Sequence, residues 1–225
     1  MNDTDEVCMN CPLFKGGQKR CSSKDTSSKL NNLELPCSFE MQGDENITFI
    51  ELFDLNELQK IQDTFAEATG VASIITDPEG VPITKPSNFC RLCNDIIRKT
   101  EKGRANCYYS DSMIGRPNPD GPIIQPCLSG GLWDAGSSIS IKGKHIANWL
   151  IGQVKNKDTK EEKMMEYARE IGADEDEFRE ALHEVREMSL EQFQKIADAL
   201  FVFAREISSK AYLNKQQERF ISYQT

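Results

Sequence analysis

The sequence predicts an α+β fold, in which helices flank an antiparallel sheet and a long helix follows at the C-terminus. Two observations predict it. Apolar residues recur at helical spacing between residues 55 and 68 and again after residue 189. Between these segments, short β-branched runs alternate with glycine-containing turns, most clearly in residues 122–154, which is the pattern of hairpin-connected strands.

The chain divides by composition into three parts. Residues 1–46 are rich in Ser, Asn and charge with little apolar periodicity, and they form a cysteine-containing segment or linker. Residues 47–188 have the pattern of a globular domain, and residues 189–225 form the C-terminal helix. At 225 residues, 38% hydrophobic and 28% charged, the chain can bury a core of ordinary size.

The first elements carry their own start and stop signals. Asp54 is a predicted N-cap with Glu57 three residues later, and Gly70 is the predicted stop of the helix. The run that follows enters a turn at residues 77–80, which predicts a β-hairpin. Pro82 cannot donate a ladder hydrogen bond, so the second strand is expected to be an edge or a ragged end.

The middle of the chain predicts short helices and then strands. Residues 89–115 suggest two short helices broken around Gly103, and the strands within 122–154 include a turn at 142–144. Two amphipathic helices separated by Gly172 follow, with predicted core residues Met164, Met165, Ala168 and Ile171. This order of elements is typical of a PAS-like or GAF-like sandwich, in which the sheet leaves a ligand cavity on one face.

The last helix has an apolar face that allows two interpretations. The residues that recur every three or four positions are Phe193, Ala197, Leu200, Ala204, Ile207 and Ala211. They fit a heptad seam, which predicts a homodimer through Phe193, Leu200 and Ile207. The alternative is a single amphipathic helix packed on its own domain, since Phe201 and Phe203 add more apolar surface than one seam needs.

Charge and motif content exclude several functions. The net charge of -9 argues against nucleic acid as a partner, because phosphate binding needs a basic face. No apolar run approaches the roughly 18 residues of a membrane span. The two histidines, His145 and His183, leave little material for imidazole catalysis, and no phosphate loop or nucleophile elbow is present, so we do not expect an enzyme. The acidic start MNDTDEVCMNC is unlike a secretory signal, and we expect a cytoplasmic protein with reduced thiols.

Eight cysteines fall into two sets of four. The central set is Cys90, Cys93, Cys107 and Cys127. Four thiolates that include a CxxC pair suit zinc or an iron–sulfur cluster. The alternatives are that these cysteines line a core or pocket as small hydrophobic residues, or that they form a reactive thiol pair.

The N-terminal set consists of Cys8, Cys11, Cys21 and Cys37. Cys8 and Cys11 form a second CxxC, and the polar segment around them would need a metal to become stable. A segment with spare thiols is the alternative, and thiol redox chemistry is a third.

Aromatic residues accompany the central cysteines and can form either the walls of a small-molecule site or part of the core. Trp133 follows a glycine break and is expected to face inward at the start of a strand. The predicted ligand-binding residues are Phe89, Cys90, Cys107, Tyr108, Cys127 and Trp133.

Three stretches together resemble the PocR-type sensory domain over residues 50–212. They are ELQKIQDTFAEATGVASIITDPEGVPIT, FCRLCNDIIRKTEKGRANCYYSD and QPCLSGGLWDAGSSISIKGKHIANWLIGQV. The resemblance implies a PAS-like fold that senses small organic molecules, with diols and related hydrocarbon derivatives as proposed ligands. Family members sit at the N-terminus of transcription regulators or beside histidine kinase and PAS modules.

The resemblance also implies a binding role for three cysteines, which match Cys90, Cys107 and Cys127. Cys93 is an addition to that pattern, and Leu128 stands where the family often has histidine. We therefore expect a sensor that binds a small organic ligand or a cysteine-held cofactor and relays occupancy through the C-terminal helix. A zinc or iron–sulfur redox sensor is the alternative.

Overall fold

The computed structural model describes residues 48–222. The predictions for residues 1–46, including the possible metal set Cys8, Cys11, Cys21 and Cys37, lie outside these residues. The helices are α1 (Phe49–Leu52), α2 (Leu55–Thr69), α3 (Glu101–Ile114), α4 (Glu161–Ile171), α5 (Glu175–Glu184) and α6 (Leu190–Ser222). The strands are β1 (Ala72–Thr76), β2 (Ile123–Pro126), β3 (Trp133–Ile141) and β4 (Lys144–Val154).

The four strands form one antiparallel sheet in the order β1-β4-β3-β2. Strands β3 and β4 are joined by a tight hairpin in which Lys142 and Gly143 both have positive φ, the geometry of a turn that matches strand twist. The predicted α+β fold, with its antiparallel sheet, flanking helices and long C-terminal helix, is confirmed.

One face of the sheet packs against α2 and α6 and forms the main core. Trp149 of β4 is fully buried there, together with Phe193 and Leu200 of α6. Ile207 packs against the same cluster. The homodimer seam predicted on Phe193, Leu200 and Ile207 is therefore wrong, because the sheet of the same chain covers these side chains. A homodimer through another face of α6 stays a prediction.

The opposite face of the sheet packs against α3, and α4 and α5 pack next to α3. Two irregular turns precede α3, a π-helical turn at Leu92–Ile96 and a 3-10 turn at Ile97–Lys99. Helices α4 and α5 close a second apolar cluster over these turns. The four predicted core residues of α4 are all buried, and Gly172 ends that helix in the left-handed conformation.

Two local features differ in detail from the sequence-based expectation. The break before α3 lies at Thr100, whose hydroxyl accepts the Gly103 backbone N–H at 3.0 Å, so Gly103 belongs to the first turn of the helix. A β-carbon at Gly103 would lie 2.2 Å from the Ile97 carbonyl oxygen, which explains a glycine there. The segment after the 77–80 turn pairs with β1 through two isolated bridges, at Pro82 and Ser87, and forms no regular strand, which agrees with the ragged end expected from proline.

Within residues 48–222, none of the helices combines the length and apolar character that a membrane crossing requires.

Candidate functional site

Two small cavities lie on the α3-facing side of the sheet, each with a volume of about 20 Å³. The first is bordered by the thiols of Cys93, Cys107 and Cys127, and the second by Phe89 together with residues of β1 and β4. Four polar residues border both cavities: Arg98, Asp111, Asp134 and Gln153. We call these two spaces the Arg98 cavities.

Arg98 and Asp111 form an ion pair between the cavities. The Arg98 Nη2 and Asp111 Oδ2 atoms are 2.8 Å apart, and the two side chains are only 15% and 9% exposed. The guanidinium carbon lies 5.2 Å from the centre of the Phe89 ring, a cation–π contact. The buried Nε of Arg98 has no hydrogen-bond partner among the described residues. An N–H donor in the wall of the site thus remains unsatisfied.

Burial changes the protonation of the two carboxyl groups. It raises the pKa of Asp111 to about 7, although the facing guanidinium favours the ionised form. It also raises the pKa of Asp134 to about 6, while the backbone N–H of Gln153 and the Cys127 thiol favour the ionised carboxylate. The guanidinium stays charged throughout this range. The cavities therefore contain one fixed positive charge and two carboxyl groups that bind protons near neutral pH.

Asp134 is positioned by an irregularity in the pairing of β3 with β4. Trp133 pairs with Val154 and Ala135 pairs with Ile151, so β4 contains one residue more than β3 at this point. This β-bulge directs the Gln153 backbone N–H to the Asp134 Oδ1 at 2.8 Å. A β-carbon on Gly152 would lie 2.0 Å from the same oxygen, so the arrangement requires glycine at position 152.

Hydroxyl groups surround two of the cavity thiols. Cys107 Sγ lies 3.4 Å from the Ser129 hydroxyl, which is 2.6 Å from the Tyr167 hydroxyl of α4. The Ser110 hydroxyl donates to Cys127 Sγ at 3.4 Å. Burial raises the pKa of Cys107 to about 11 and raises that of Cys127 as well. Both groups are neutral thiols at physiological pH in the metal-free protein.

The CxxC pair behaves differently from these two thiols. A hydrogen bond with the Cys93 side chain lowers the pKa of Cys90, and the backbone N–H groups of Cys93 and Leu92 act in the same direction. The same pairing, together with burial, raises the pKa of Cys93. The Cys90 backbone N–H donates to the Gln153 Oε1 at 2.9 Å, which ties the pair to the β4 bulge.

The structure brings together some of the predicted site residues. Phe89, Cys107 and Cys127 border the Arg98 cavities, as does Cys93, and Cys90 lies beside them. Tyr108 is half-buried and lines neither of the two cavities. Trp133 packs on the main core cluster that faces α2 and α6, because strand alternation directs it away from Asp134.

Metal binding was predicted for Cys90, Cys93, Cys107 and Cys127. Across residues 48–222, no group of three or more His, Cys, Asp or Glu side chains is arranged so that it could hold a metal ion. Three of the four thiols nevertheless border one cavity. The four-thiolate site stays a prediction, and no step of the function proposed below depends on it.

Four polar residues of the site were missed from the sequence: Arg98, Asp111, Asp134 and Gln153. Arg98 and Asp111 lie in segments where charge is common, so spacing alone could not single them out. A usable signal existed for Asp134 and Gln153. Gly152 interrupts an apolar strand, and a glycine inside a strand indicates a bulge or a close backbone approach.

Comparison with known families identifies the domain as a sensory one. The family described as the sensory domain found in PocR matches residues 51–212. Neither the curated proteins nor the solved structures contain a significant match to the chain. The family match covers well over half of the chain and includes every residue of the Arg98 cavities. The chain therefore belongs to the family of sensory domains found in PocR.

Proposed function

We propose that this sensory domain binds a small, neutral, hydroxylated organic molecule at the Arg98 cavities and relays occupancy to α6. The observation that carries the proposal is the unpartnered Nε–H of Arg98, a residue that borders the same two cavities as Asp134. Leaving a buried donor unsatisfied costs about 1–3 kcal/mol, and a ligand oxygen would remove that penalty.

A hydroxyl group suits this pair of residues better than a charged group does. Its oxygen can accept from Arg98 Nε while its proton is donated to Asp134. A carboxylate ligand would satisfy Arg98 but would also face Asp111 and Asp134, and like charges repel strongly in a low-dielectric site. An ammonium ligand would satisfy Asp134 and leave the Arg98 donor unpaired. The chemistry agrees with the diols that the family resemblance implies.

The size of the cavities indicates that the site opens around its ligand. A volume of about 20 Å³ holds roughly one water molecule, whereas the pockets that bind drug-sized ligands have volumes of roughly 300–1,000 Å³. Because Arg98 borders both cavities, a shift of its side chain would join them into one space. A ligand of a few heavy atoms is therefore expected to bind with a rearrangement of Arg98.

Thermal denaturation with matched ligands tests the proposal. A short diol such as 1,2-propanediol is compared with 1-propanol and with propionate, which differ in hydroxyl number and in charge. At a hundredfold excess over the Kd, binding stabilises the protein by about 2.7 kcal/mol. For a domain of this size, the Tm then rises by roughly 5–10 °C with the diol. Propionate should give no rise.

Arg98→Lys provides the matched variant. Lysine keeps a positive charge opposite Asp111 but lacks the guanidinium Nε–H, so the diol-dependent rise in Tm should be lost while the variant remains folded. The proposal is overturned if no hydroxylated compound raises the Tm of protein that native mass spectrometry shows to be ligand-free. It is also overturned if Arg98→Lys responds to diols as fully as the original chain.

A cysteine-held zinc ion or iron–sulfur cluster is the second candidate ligand. It is favoured by the three thiols of Cys93, Cys107 and Cys127 that border one cavity. Anaerobic purification followed by analysis of zinc, iron and sulfide tests it. Bound metal that is lost in Cys107→Ser supports a cysteine-held group, and metal content that is unchanged in that variant rules this assignment out.

A further inference from the structure

The β4 bulge, Gly152–Gln153, has an unusual backbone for a strand. Gln153 has a φ of 59°, in the left-handed region that side chains other than Gly, Asn and Asp seldom adopt. Within residues 48–222, the other two such residues are Asn88 and Lys142; both lie outside strand interiors, and Lys142 forms the β3–β4 turn. A left-handed residue inside a strand persists only where its surroundings impose it, and such sites are common next to functional sites.

Two hydrogen bonds hold Gln153 in this conformation, and both join it to residues at or beside the Arg98 cavities. The Gln153 backbone N–H donates to the Asp134 Oδ1 at 2.8 Å, and the Gln153 Oε1 accepts the Cys90 backbone N–H at 2.9 Å. Gln153 and Asp134 both border the two cavities. A ligand hydroxyl that donates to Asp134 adds a second donor to the carboxyl group that already accepts the Gln153 N–H, so the ligand and the bulge share one acceptor group.

Lys155, which follows the last residue of β4, is hydrogen-bonded to the segment before α6. Two residues after Gln153, the Lys155 backbone N–H donates to the Arg186 carbonyl at 2.9 Å. The Met188 N–H donates back to the Lys155 carbonyl, also at 2.9 Å, and Lys155 Nζ donates to the Leu182 carbonyl at 3.0 Å. Met188 is buried in the main core, and α6 begins two residues later. The bulge and the start of α6 are thus joined by a few consecutive hydrogen-bonded residues.

We propose that the β4 bulge couples the Arg98 cavities to α6, with Gln153 as the positioning residue. Occupancy weakens the hydrogen bond from Gln153 to Asp134, and Gln153 leaves the left-handed conformation. Lys155 then moves relative to residues 186–188, to which it is hydrogen-bonded. The start of α6 then shifts. This regulation rests on the proposed function for its ligand, and the ligand biases the bulge only through its different affinity for the two arrangements.

Hydrogen–deuterium exchange tests the coupling without any ligand. Gln153→Gly tolerates the left-handed backbone but removes the bond to Cys90. Exchange of the amides in residues 186–193, which make no hydrogen bond with Gln153, should become faster by about threefold or more. Lys142→Gly relaxes a residue with the same backbone conformation at the hairpin turn, and it should leave residues 186–193 unchanged.

Gln153→Asn serves as a second variant if Gln153→Gly does not fold, since asparagine tolerates the left-handed region with a shorter side chain. The proposal is overturned if a folded Gln153 variant exchanges at residues 186–193 at the original rate. It is also overturned if Lys142→Gly accelerates the same amides to the same extent.

The ligand-bound protein separates this proposal from the proposed function. If 1,2-propanediol raises the Tm but leaves exchange at residues 186–193 unchanged, the site binds diols and the coupling is wrong. If Gln153 variants accelerate exchange there but no hydroxylated compound raises the Tm, the coupling stands and the proposed ligand is wrong.

Discussion

The two faces of the sheet are built in opposite ways. The face toward α2 and α6 is a continuous apolar core in which Trp149, Phe193 and Leu200 are at most 1% exposed. On the face toward α3, the buried apolar cluster next to the strands is small and consists of Ile74 of β1, Leu150 of β4 and Ile114 of α3. An ion pair, a second carboxyl group and two cavities occupy the remaining space.

This contrast indicates that the two faces of the sheet contribute differently to stability. Apolar burial on the α6 face stabilises the fold, because each buried large side chain contributes roughly 1.5–3 kcal/mol. On the α3 face, buried charges and an unsatisfied donor reduce stability. The predictions below test this difference between the faces.

The largest effect is expected on the apolar face. Phe193→Ala should lower the free energy of unfolding by about 3–5 kcal/mol, because the side chain is 1% exposed and its removal leaves a cavity beneath α6. Phe203→Ala on the same helix is the matched control. Phe203 is 49% exposed, so its replacement should cost about 1 kcal/mol or less. Urea denaturation measures both, and equal losses would contradict the assignment of the core.

An intermediate effect is expected on the polar face and depends on pH. The pKa values of Asp111, about 7, and Asp134, about 6, lie above the ordinary 3.8, so the folded state binds protons that the unfolded chain has released. Their stabilising contribution is complete below about pH 4 and is lost as the pH rises through 6 and 7. Stability should therefore fall by a few kcal/mol between pH 4 and pH 8.

Asp134→Asn sharpens this second prediction. The amide oxygen can still accept from Gln153, but no proton is lost as the pH rises. The variant should be more stable than the original chain at pH 8, and the two should become similar at pH 4, while the response to diols is weakened. Denaturation profiles at both pH values check this, and a variant that is less stable at pH 8 would show that the ionised carboxylate is favoured in the fold.

The smallest effect is expected at the rim of the polar face. Tyr167→Phe removes the hydroxyl that lies 2.6 Å from Ser129, which in turn lies beside Cys107. The same hydroxyl accepts from Asn106 Nδ2 at 3.1 Å, and a loss of about 0.5–1.5 kcal/mol in the free energy of unfolding is expected for each of the two hydrogen bonds. Tyr109→Phe is the control, because Tyr109 is 60% exposed and should give no measurable change. Similar losses of stability in both variants would contradict a role of the Tyr167 hydroxyl in stabilising the site.

Local patterns in the sequence were sufficient for most elements but not for the partner of α6. The apolar spacing of Phe193 and Leu200 indicated correctly that this face is buried. It could not distinguish burial against a second helix from burial against a sheet, since both require the same periodicity. The helix packs on β3, and the seam predicted for a dimer is part of the core.

The sequence by itself determined the antiparallel strands, the long C-terminal helix and the family. These depend on residue order, on spacing and on turn chemistry, all of which are local. Only the tertiary structure placed Arg98, Asp111 and Asp134 together, because they come from three segments far apart in the chain. It also decided that Trp133 and Asp134, adjacent in sequence, lie on opposite faces, since successive side chains of a strand point in opposite directions.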